Sequence, residues 1–497
     1  MELVQIGQRP GLPEVPQAPL HAKTLKITMV TPPLSHEEML NYDPGMIMVN
    51  PPLGMAYIAG YVREKGYRVE LIDAFAEFIT EEQTIQRILD SKCDILAVTS
   101  VTVSHPRMEK ICQTIKEKMS IPIVIGGPHF SAMPERTLQS NAFDFGVSGE
   151  AEETFCDLLQ FVEGKKIPEE IQGLAYKKNG QVMRNPPRPL IKDIDAIPFP
   201  ARDLLPALTA YRPSTKYKRW PVTTMMSSRG CPFKCIFCDK SSFGDTFRGR
   251  SAKNVVDEME MLNKGHGIRE INFYDDNFLF DMKRVEAICD EILSRGLDMT
   301  WSCEGRVHSI TLDLAKKMKR AGCWQISFGI ESGSQRVLNF IKKGITLQQV
   351  RDAVTICNKA GIEAKGYFQI GLPTDNEESI QDTIVFAKSL PLSTASFNIT
   401  VPYPGAPLYQ YAAQYGDFDE GAFEGYMVAT DKPVFVTKGL TAEYLVGKQK
   451  QAYKEFYMRP RYILHRITKI RSVWDLQRNM KGFLQYFKSF VSRASGS

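Results

Sequence analysis

Short apolar, β-prone runs separated by amphipathic helical patterns recur along two stretches of this 497-residue chain, and they restrict its fold more than any other feature. In the first stretch, strands are expected over 24–30, 68–72, 95–101, 121–125 and 143–147, with helices over 53–65, 81–89, 106–119 and 151–162. Strands this continuously apolar are buried on both faces, which calls for a parallel sheet with helices on each side. Five of them predict a flavodoxin-like doubly wound domain over 24–163, with its ligand beyond the carboxyl ends of the strands. A second stretch has strands at 222–226, 270–274, 299–302, 325–329, 363–370 and 395–401, again alternating with helices. It predicts an open (β/α)6 partial TIM barrel over 221–407, active at the carboxyl ends of its strands.

The remaining segments read differently. Residues 1–23 carry Pro10, Pro13, Pro16 and Pro19 and lack the basic start and apolar core of a signal peptide, so an extended leader is expected. Prolines at 168, 186, 187, 189, 198, 200, 206 and 213 make 164–220 a linker with short β elements. Residues 408–497 are expected to be a helical C-terminal region. From Lys454 to Ser497 there are ten Lys or Arg and two acids, a net +8; with +5 for the whole chain, this leaves −3 for the rest. Tyr453, Phe456, Tyr457, Tyr462, Ile463, Leu464, Ile467, Trp474, Phe483, Leu484, Tyr486, Phe487 and Phe490 are interleaved with these basic residues. Such a segment caps the barrel or lies on an anionic membrane surface, and the cap is expected ahead of peripheral contact at the inner membrane. No run of about 18 apolar residues occurs, so no membrane-spanning helix is predicted. A net acidic body without an RNA-binding module argues against a nucleic-acid partner.

The barrel stretch opens with Cys231, Cys235 and Cys238, spaced CxxxCxxC in a short loop directly after its first strand. Steps of four and three residues fold three thiolates onto three corners of an iron–sulfur cube and leave one iron open to a small molecule. A zinc knuckle would want a fourth Cys or His close by, and the nearest downstream histidine is His266. The other seven cysteines (Cys93, Cys112, Cys156, Cys289, Cys303, Cys323, Cys357) show no CxxC pairing, so core packing is expected for them. This usage fits a reducing cytoplasm better than a disulfide framework. Further motifs fall at predicted strand ends: Tyr274-Asp275-Asp276-Asn277, Glu304-Gly305-Arg306, Glu331-Ser332-Gly333 and Gly371-Leu372-Pro373. No GxGxxG, Walker loop or Ser-His-Asp order supports a nucleotide-hydrolase reading.

With Phe237 before its last cysteine, the motif resembles the signature of radical S-adenosylmethionine (SAM) enzymes. The resemblance implies a [4Fe-4S] cluster whose open iron chelates the amino and carboxylate groups of SAM. An electron from it then cleaves SAM to a 5′-deoxyadenosyl radical. It also implies Glu331 as a SAM contact, with Ser332, Arg306 and Asp275 behind it; carboxylates suit the ammonium, sulfonium and ribose diol. The pattern Pro51-Pro52-Leu53-Gly54, Gly66-Tyr67, Asp73, Gly126-Gly127-Pro128-His129 and Ser148-Gly149-Glu150-Ala151-Glu152 looks like the cobalamin-binding domain fused to many radical SAM enzymes. That makes Thr99, Ser100, Gly126, Gly127, Ser148, Gly149 and Glu150 cofactor contacts at strand ends. On their own the glycines admit two readings, close approach to a bulky ligand or plain turns. Cobalamin domains with Asp-x-His-x-x-Gly supply a histidine to cobalt, and the stretch matched here, Asp73-Ala74-Phe75-Ala76-Glu77-Phe78, has none. For His105 and His129, near strand ends, surface or turn roles are expected ahead of cobalt ligation.

The function implied by the resemblance is methylation of an unactivated carbon on a small-molecule or lipid substrate, with an electron donor such as flavodoxin or ferredoxin. Radical cyclisation, oxidation or carbon–carbon coupling on a tetrapyrrole or lipid is the runner-up, as in the anaerobic cyclase of the bacteriochlorophyll pathway. A cobalamin- or redox-sensing binding protein is the reading of another class. A structural cluster would have four protein ligands, and three cysteines argue against it.

Overall fold

A computed structural model describes residues 25–33, 49–211, 217–308, 310–427, 430–460 and 462–464. The expected leader and most of the basic tail, from Ile467 to Phe490, lie outside the described residues. Strands β1 (Lys26–Thr31), β2 (Arg68–Asp73), β3 (Ile95–Thr99), β4 (Ile123–Gly126) and β5 (Phe145–Val147) form a parallel sheet in the order β2-β1-β3-β4-β5. This is the doubly wound order, with its switch point between β1 and β3. Alternate residues serve opposite faces. Ile27, Met29, Ala97 and Val124 pack with Ala56, Ala59, Val62, Leu158 and Leu159 of helices Leu53–Glu64 and Glu152–Val162. Val30, Leu96, Val98 and Ile125 pack on the other side with Ile88, Met108, Ile111 and Ile115. In the segment read as a linker, β6 (Leu174–Lys178) and β7 (Gln181–Arg184) extend this sheet antiparallel from β5.

The second sheet runs β15-β14-β13-β12-β11-β8, all parallel. Its strands are β8 (Val222–Met225), then, after the small antiparallel pair β9 (Ser228–Arg229) and β10 (Arg248–Gly249), β11 (Glu270–Phe273), β12 (Thr300–Gly305), β13 (Cys323–Glu331), β14 (Glu363–Ile370) and β15 (Thr394–Ile399). Helices begin where the sequence places a cap. Ser251, Asp281, Thr311, Thr346 and Asn376 each accept the backbone N–H three residues on, at the starts of Ala252–His266, Met282–Ser294, Leu312–Arg320, Leu347–Ala360 and Glu377–Ser389.

Six strands leave the barrel open, with β15 at an edge whose unpaired backbone would recruit other chains. Helix Ala442–Tyr457 covers it. Tyr453 and Tyr457 hydroxyls accept the N–H groups of Phe397 (3.2 Å) and Ala395 (3.0 Å), while Gln449 and Tyr462 donate to the carbonyls of Phe397 (2.8 Å) and Ser393 (3.0 Å). The described part of the aromatic tail thus caps the barrel. The largely helical C-terminal region also holds a short antiparallel pair, β16 (Gly416–Phe418) and β17 (Phe435–Thr437). Among the described residues no helix is long and apolar enough to cross a membrane.

Candidate active site

After β8 the chain is pinned before it reaches the cysteines. Asp275, at the end of β11, accepts the Ser227 N–H at 2.7 Å and the hydroxyls of Ser227 and Ser228. Asp276 accepts the Gly230 N–H at 2.9 Å. Gly230 sits at φ +81, and a Cβ there would fall 2.3 Å from the Thr246 carbonyl oxygen, so only glycine lets the loop turn. Asp275 is buried and lies outside the cavity wall, and burial pushes its carboxyl upward. It anchors the loop, where a SAM contact was expected.

Cys231, Cys235 and Cys238 line a cavity of about 480 Å³ with Phe233, Phe237, Glu304, Arg306, Ser327, Glu331, Lys343 and Tyr367. Arg306 Nη1 donates to Cys235 Sγ at 3.1 Å, and its guanidinium lies 3.9 Å from the Phe233 ring centroid. Among the described residues its Nε and Nη2 are buried without a hydrogen-bond partner, an uncommon state for a guanidinium and one that a bound anion would relieve. Lys343 Nζ donates to Glu331 Oε1 at 2.8 Å and stands 5.5 Å from the Phe237 ring centroid; Gln369 donates to Glu331 Oε2 at 3.0 Å. Glu331 holds φ +70, a strained backbone for a non-glycine residue. Ser332 is turned away, bonded to Thr383 and accepting the Ser334 N–H.

The Cys238 thiol's hydrogen bond draws Cys235 down to about 5, helped by Lys343 and Arg306 against burial, while burial raises Cys231. Cys238, the donor in that bond, is raised as well, so the fit to a cluster rests on geometry: three thiols at CxxxCxxC spacing line one cavity beside Arg306 and Lys343. Among the described residues no three His, Cys, Asp or Glu side chains are close enough to share a single ion. A cluster needs no such convergence, since each thiolate takes a different iron.

A second cavity, of about 370 Å³, lies between the first sheet and helix Leu53–Glu64 and is roofed by Met226, Arg229, Ser242 and Phe243 from the barrel. Its walls are largely apolar: Met29, Leu53, Tyr57, Ala97, Val124 and Phe155. Thr99, Gly126, Gly127, Gly149 and Glu150 line it. Gly127 holds φ +89, and a Cβ there would fall 2.2 Å from Thr99 Oγ1. Apolar walls with glycines at the strand ends suit the buried part of a ligand as large as cobalamin.

Ser100 and Ser148 do not line this cavity. Ser100 is bonded to His105 Nδ1 at 3.3 Å, and Ser148 faces a neighbouring cavity of about 270 Å³. The stretch 73–78 does not line it either. Asp73 is buried and accepts hydrogen bonds from Thr31 and Tyr211, so the missing histidine there has no bearing on the cavity. His105 and His129, expected in surface or turn roles, are buried instead, stacked 4.0 Å apart with the Phe423 ring edge-on to both. Burial lowers them to about 4 and about 3, and neither borders the two larger cavities.

Sequence reasoning missed the groups that join the two domains. Arg229, immediately before the cysteine loop, donates to Glu150 (2.9 Å) and Glu152 (2.6 Å), and Arg248 donates to Glu150 (2.7 Å). Glu150, expected at a cofactor, spends both oxygens on arginines and the Ile191 N–H. The only sequence signal was an arginine beside the motif and two acids two residues apart. Pro128, Ser242 and Phe243 line both large cavities, which therefore share a wall.

Comparison with known proteins agrees with this division. A family model described as the B12 binding domain matches residues 48–159, and one described as the Radical SAM superfamily matches 225–387. An uncharacterized methyltransferase of Pyrococcus horikoshii is 38% identical over 472 residues, covering 94% of this chain and 99% of the relative. The chain belongs to the B12-binding radical SAM family. It is an enzyme, and the family's cofactors are cobalamin, SAM and an iron–sulfur cluster. The anaerobic magnesium-protoporphyrin IX monomethyl ester cyclase of Rubrivivax gelatinosus is 29% identical over 432 residues, covering 84% of this chain and 76% of the cyclase. The fold is shared with the methyltransferase TsrM from Kitasatospora setae, solved with cobalamin and a [4Fe-4S] cluster. The TM-score is 0.68 and the identity 17%, over 88% of this chain and 90% of that one.

Proposed function

We propose that this radical SAM enzyme transfers a methyl group from SAM, by way of cobalamin, to a carbon of a small molecule. One observation carries the reading: an apolar, glycine-edged cavity in the B12-binding domain shares a wall, Pro128, Ser242 and Phe243, with a three-cysteine cavity. When bound, the cluster supplies the electron that cleaves SAM, and cobalamin carries the methyl group. Cys231, Cys235 and Cys238 hold the cluster, with Arg306 and Lys343 favouring the thiolate at Cys235. The unpartnered edge of Arg306 takes the SAM carboxylate, and Glu331, fixed by Lys343 and Gln369, its ammonium or ribose. Thr99, Gly126, Gly127 and Gly149 border cobalamin. A small electron-transfer protein such as flavodoxin or ferredoxin is the reductant.

A second reading, radical cyclisation or oxidation without methyl transfer, is favoured by the 29% identity to the anaerobic cyclase. Anaerobic turnover with SAM labelled in its methyl group, cobalamin, reductant and a cell extract separates the two. Label in a stable product, with both 5′-deoxyadenosine and S-adenosylhomocysteine, supports methyl transfer. 5′-Deoxyadenosine with no movement of label sinks it and leaves the cyclase-type reading.

A further inference from the structure

Inside the barrel, β12 to β14 are polar where a closed barrel would be filled with branched apolar side chains. Trp301, Cys303, Ile326, Phe328 and Phe368 are buried in the hydrophobic core. Positions two apart on the opposite face carry Ser302 and Glu304, Ser327, and Lys365 and Tyr367. These are joined across the strands. Ser302 pairs with Asn272 of β11 at 2.8 Å; Lys365 Nζ donates to the Tyr367 hydroxyl at 2.7 Å, which donates to Glu304 Oε1 at 2.8 Å. Lys365 is itself only 4% exposed. Burial and the Glu304 charge hold the Tyr367 hydroxyl proton-on, so it serves Glu304 as a donor. Glu304, Ser327 and Tyr367 form one wall of the cavity whose other wall is the cysteine loop. Glu304 accepts the Tyr367 hydroxyl through Oε1 and borders the open cavity.

We propose that Glu304, oriented by Tyr367 and Lys365, is the recognition point for the substrate, which is a polar molecule presenting an amine or hydroxyl donor. A carboxylate with one oxygen already satisfied asks its ligand for a donor. A site built on such a bond rejects an analogue lacking the donor by on the order of 10⁴-fold, and a hydrocarbon chain or a tetrapyrrole face offers none. This assignment rests on the reading of this cavity as the reaction site, and it replaces the lipid or tetrapyrrole implied by the family resemblance.

The test measures thermal stabilisation of the full-length protein, loaded anaerobically with cluster, cobalamin and SAM, by water-soluble and chloroform-soluble cell extracts. The aqueous extract is expected to stabilise the wild-type protein. Glu304→Gln and Tyr367→Phe should require roughly tenfold more extract, or more, for the same shift. Both variants should keep the cobalamin absorbance and the SAM-induced change in the reduced-cluster EPR signal. Stabilisation by the chloroform extract alone, an equal response in the variants, or no response to either extract would overturn the assignment. Loss of both cofactor signatures in both variants would also overturn it, by placing Glu304 in the cofactor site. The readout does not depend on methyl movement, so a wild-type protein that binds the aqueous ligand without moving label would count against methyl transfer alone.

Discussion

Replacing Arg229 by methionine should separate buried from exposed ion pairs in this fold. Arg229 side-chain exposure is 5%, and Glu150 and Glu152 are each at 4%. Glu150 keeps Arg248 and the Ile191 N–H when Arg229 is lost, but Glu152 loses its hydrogen-bonded partner. Stranding one buried carboxylate costs about 3–5 kcal/mol. Arg63→Met is the control, because Arg63 and Asp203 are 37% and 42% exposed and such a pair is worth about 0–1 kcal/mol. The assay is urea unfolding of the anaerobically loaded protein, followed by tryptophan fluorescence and cobalamin absorbance. Adding Glu152→Gln to Arg229→Met should recover part of the loss, since the stranded charge is gone. An Arg229→Met protein no less stable than Arg63→Met would refute the view that these carboxylates are desolvated between the domains.

Four further outcomes are expected. Alanine at Cys231, Cys235 or Cys238 should abolish the reduced-cluster EPR signal and deplete iron while cobalamin absorbance is retained. Gly127→Ala, forced to hold φ +89 with its Cβ near Thr99 Oγ1, should cost about 1–3 kcal/mol and weaken cobalamin binding in an absorbance titration. Burial depresses His105 and His129 to about 4 and about 3, so the unfolded chain binds protons that the folded one refuses. Their contribution is full above about pH 6.5 and falls with pH, at up to about 2.7 kcal/mol per unit for the pair, until about pH 4. Phenylalanine at both positions should flatten that slope in urea midpoints measured against pH. Truncation after Leu440 should bare β15 and shift the protein to high-molecular-weight species in size-exclusion chromatography.

Much of the architecture was legible because parallel strands buried on both faces write themselves as apolar runs, and Ser251, Asp281, Thr311, Thr346 and Asn376 mark helix starts by a purely local bond. The cysteine loop was legible for the same reason: its chemistry lies within a few residues of sequence. What stayed hidden depends on direction or distance. Asp275 at a strand end reads alike whether it turns toward a ligand or, as here, toward Ser227 and Ser228. Arg229 finds Glu150 across 79 residues, a pairing that no spacing rule reaches. Short β elements were legible in 164–220, but not that β6 and β7 would extend the first sheet from β5, a pairing across about 30 residues. The His105–His129 stack meets Phe423, about 300 residues further along the chain, edge-on.

Methyl transfer by way of cobalamin requires cobalamin and a SAM-accessible cluster on one chain at once. The most direct measurement is EPR of the anaerobically reconstituted, reduced protein with and without SAM, alongside iron and cobalamin content, for wild type and Arg306→Ala. The expected result is about four irons and about one cobalamin per chain, with a cluster signal that SAM alters in the wild type and much less in the variant. A cluster signal indifferent to SAM, or a protein that holds the cluster but not cobalamin, would contradict it.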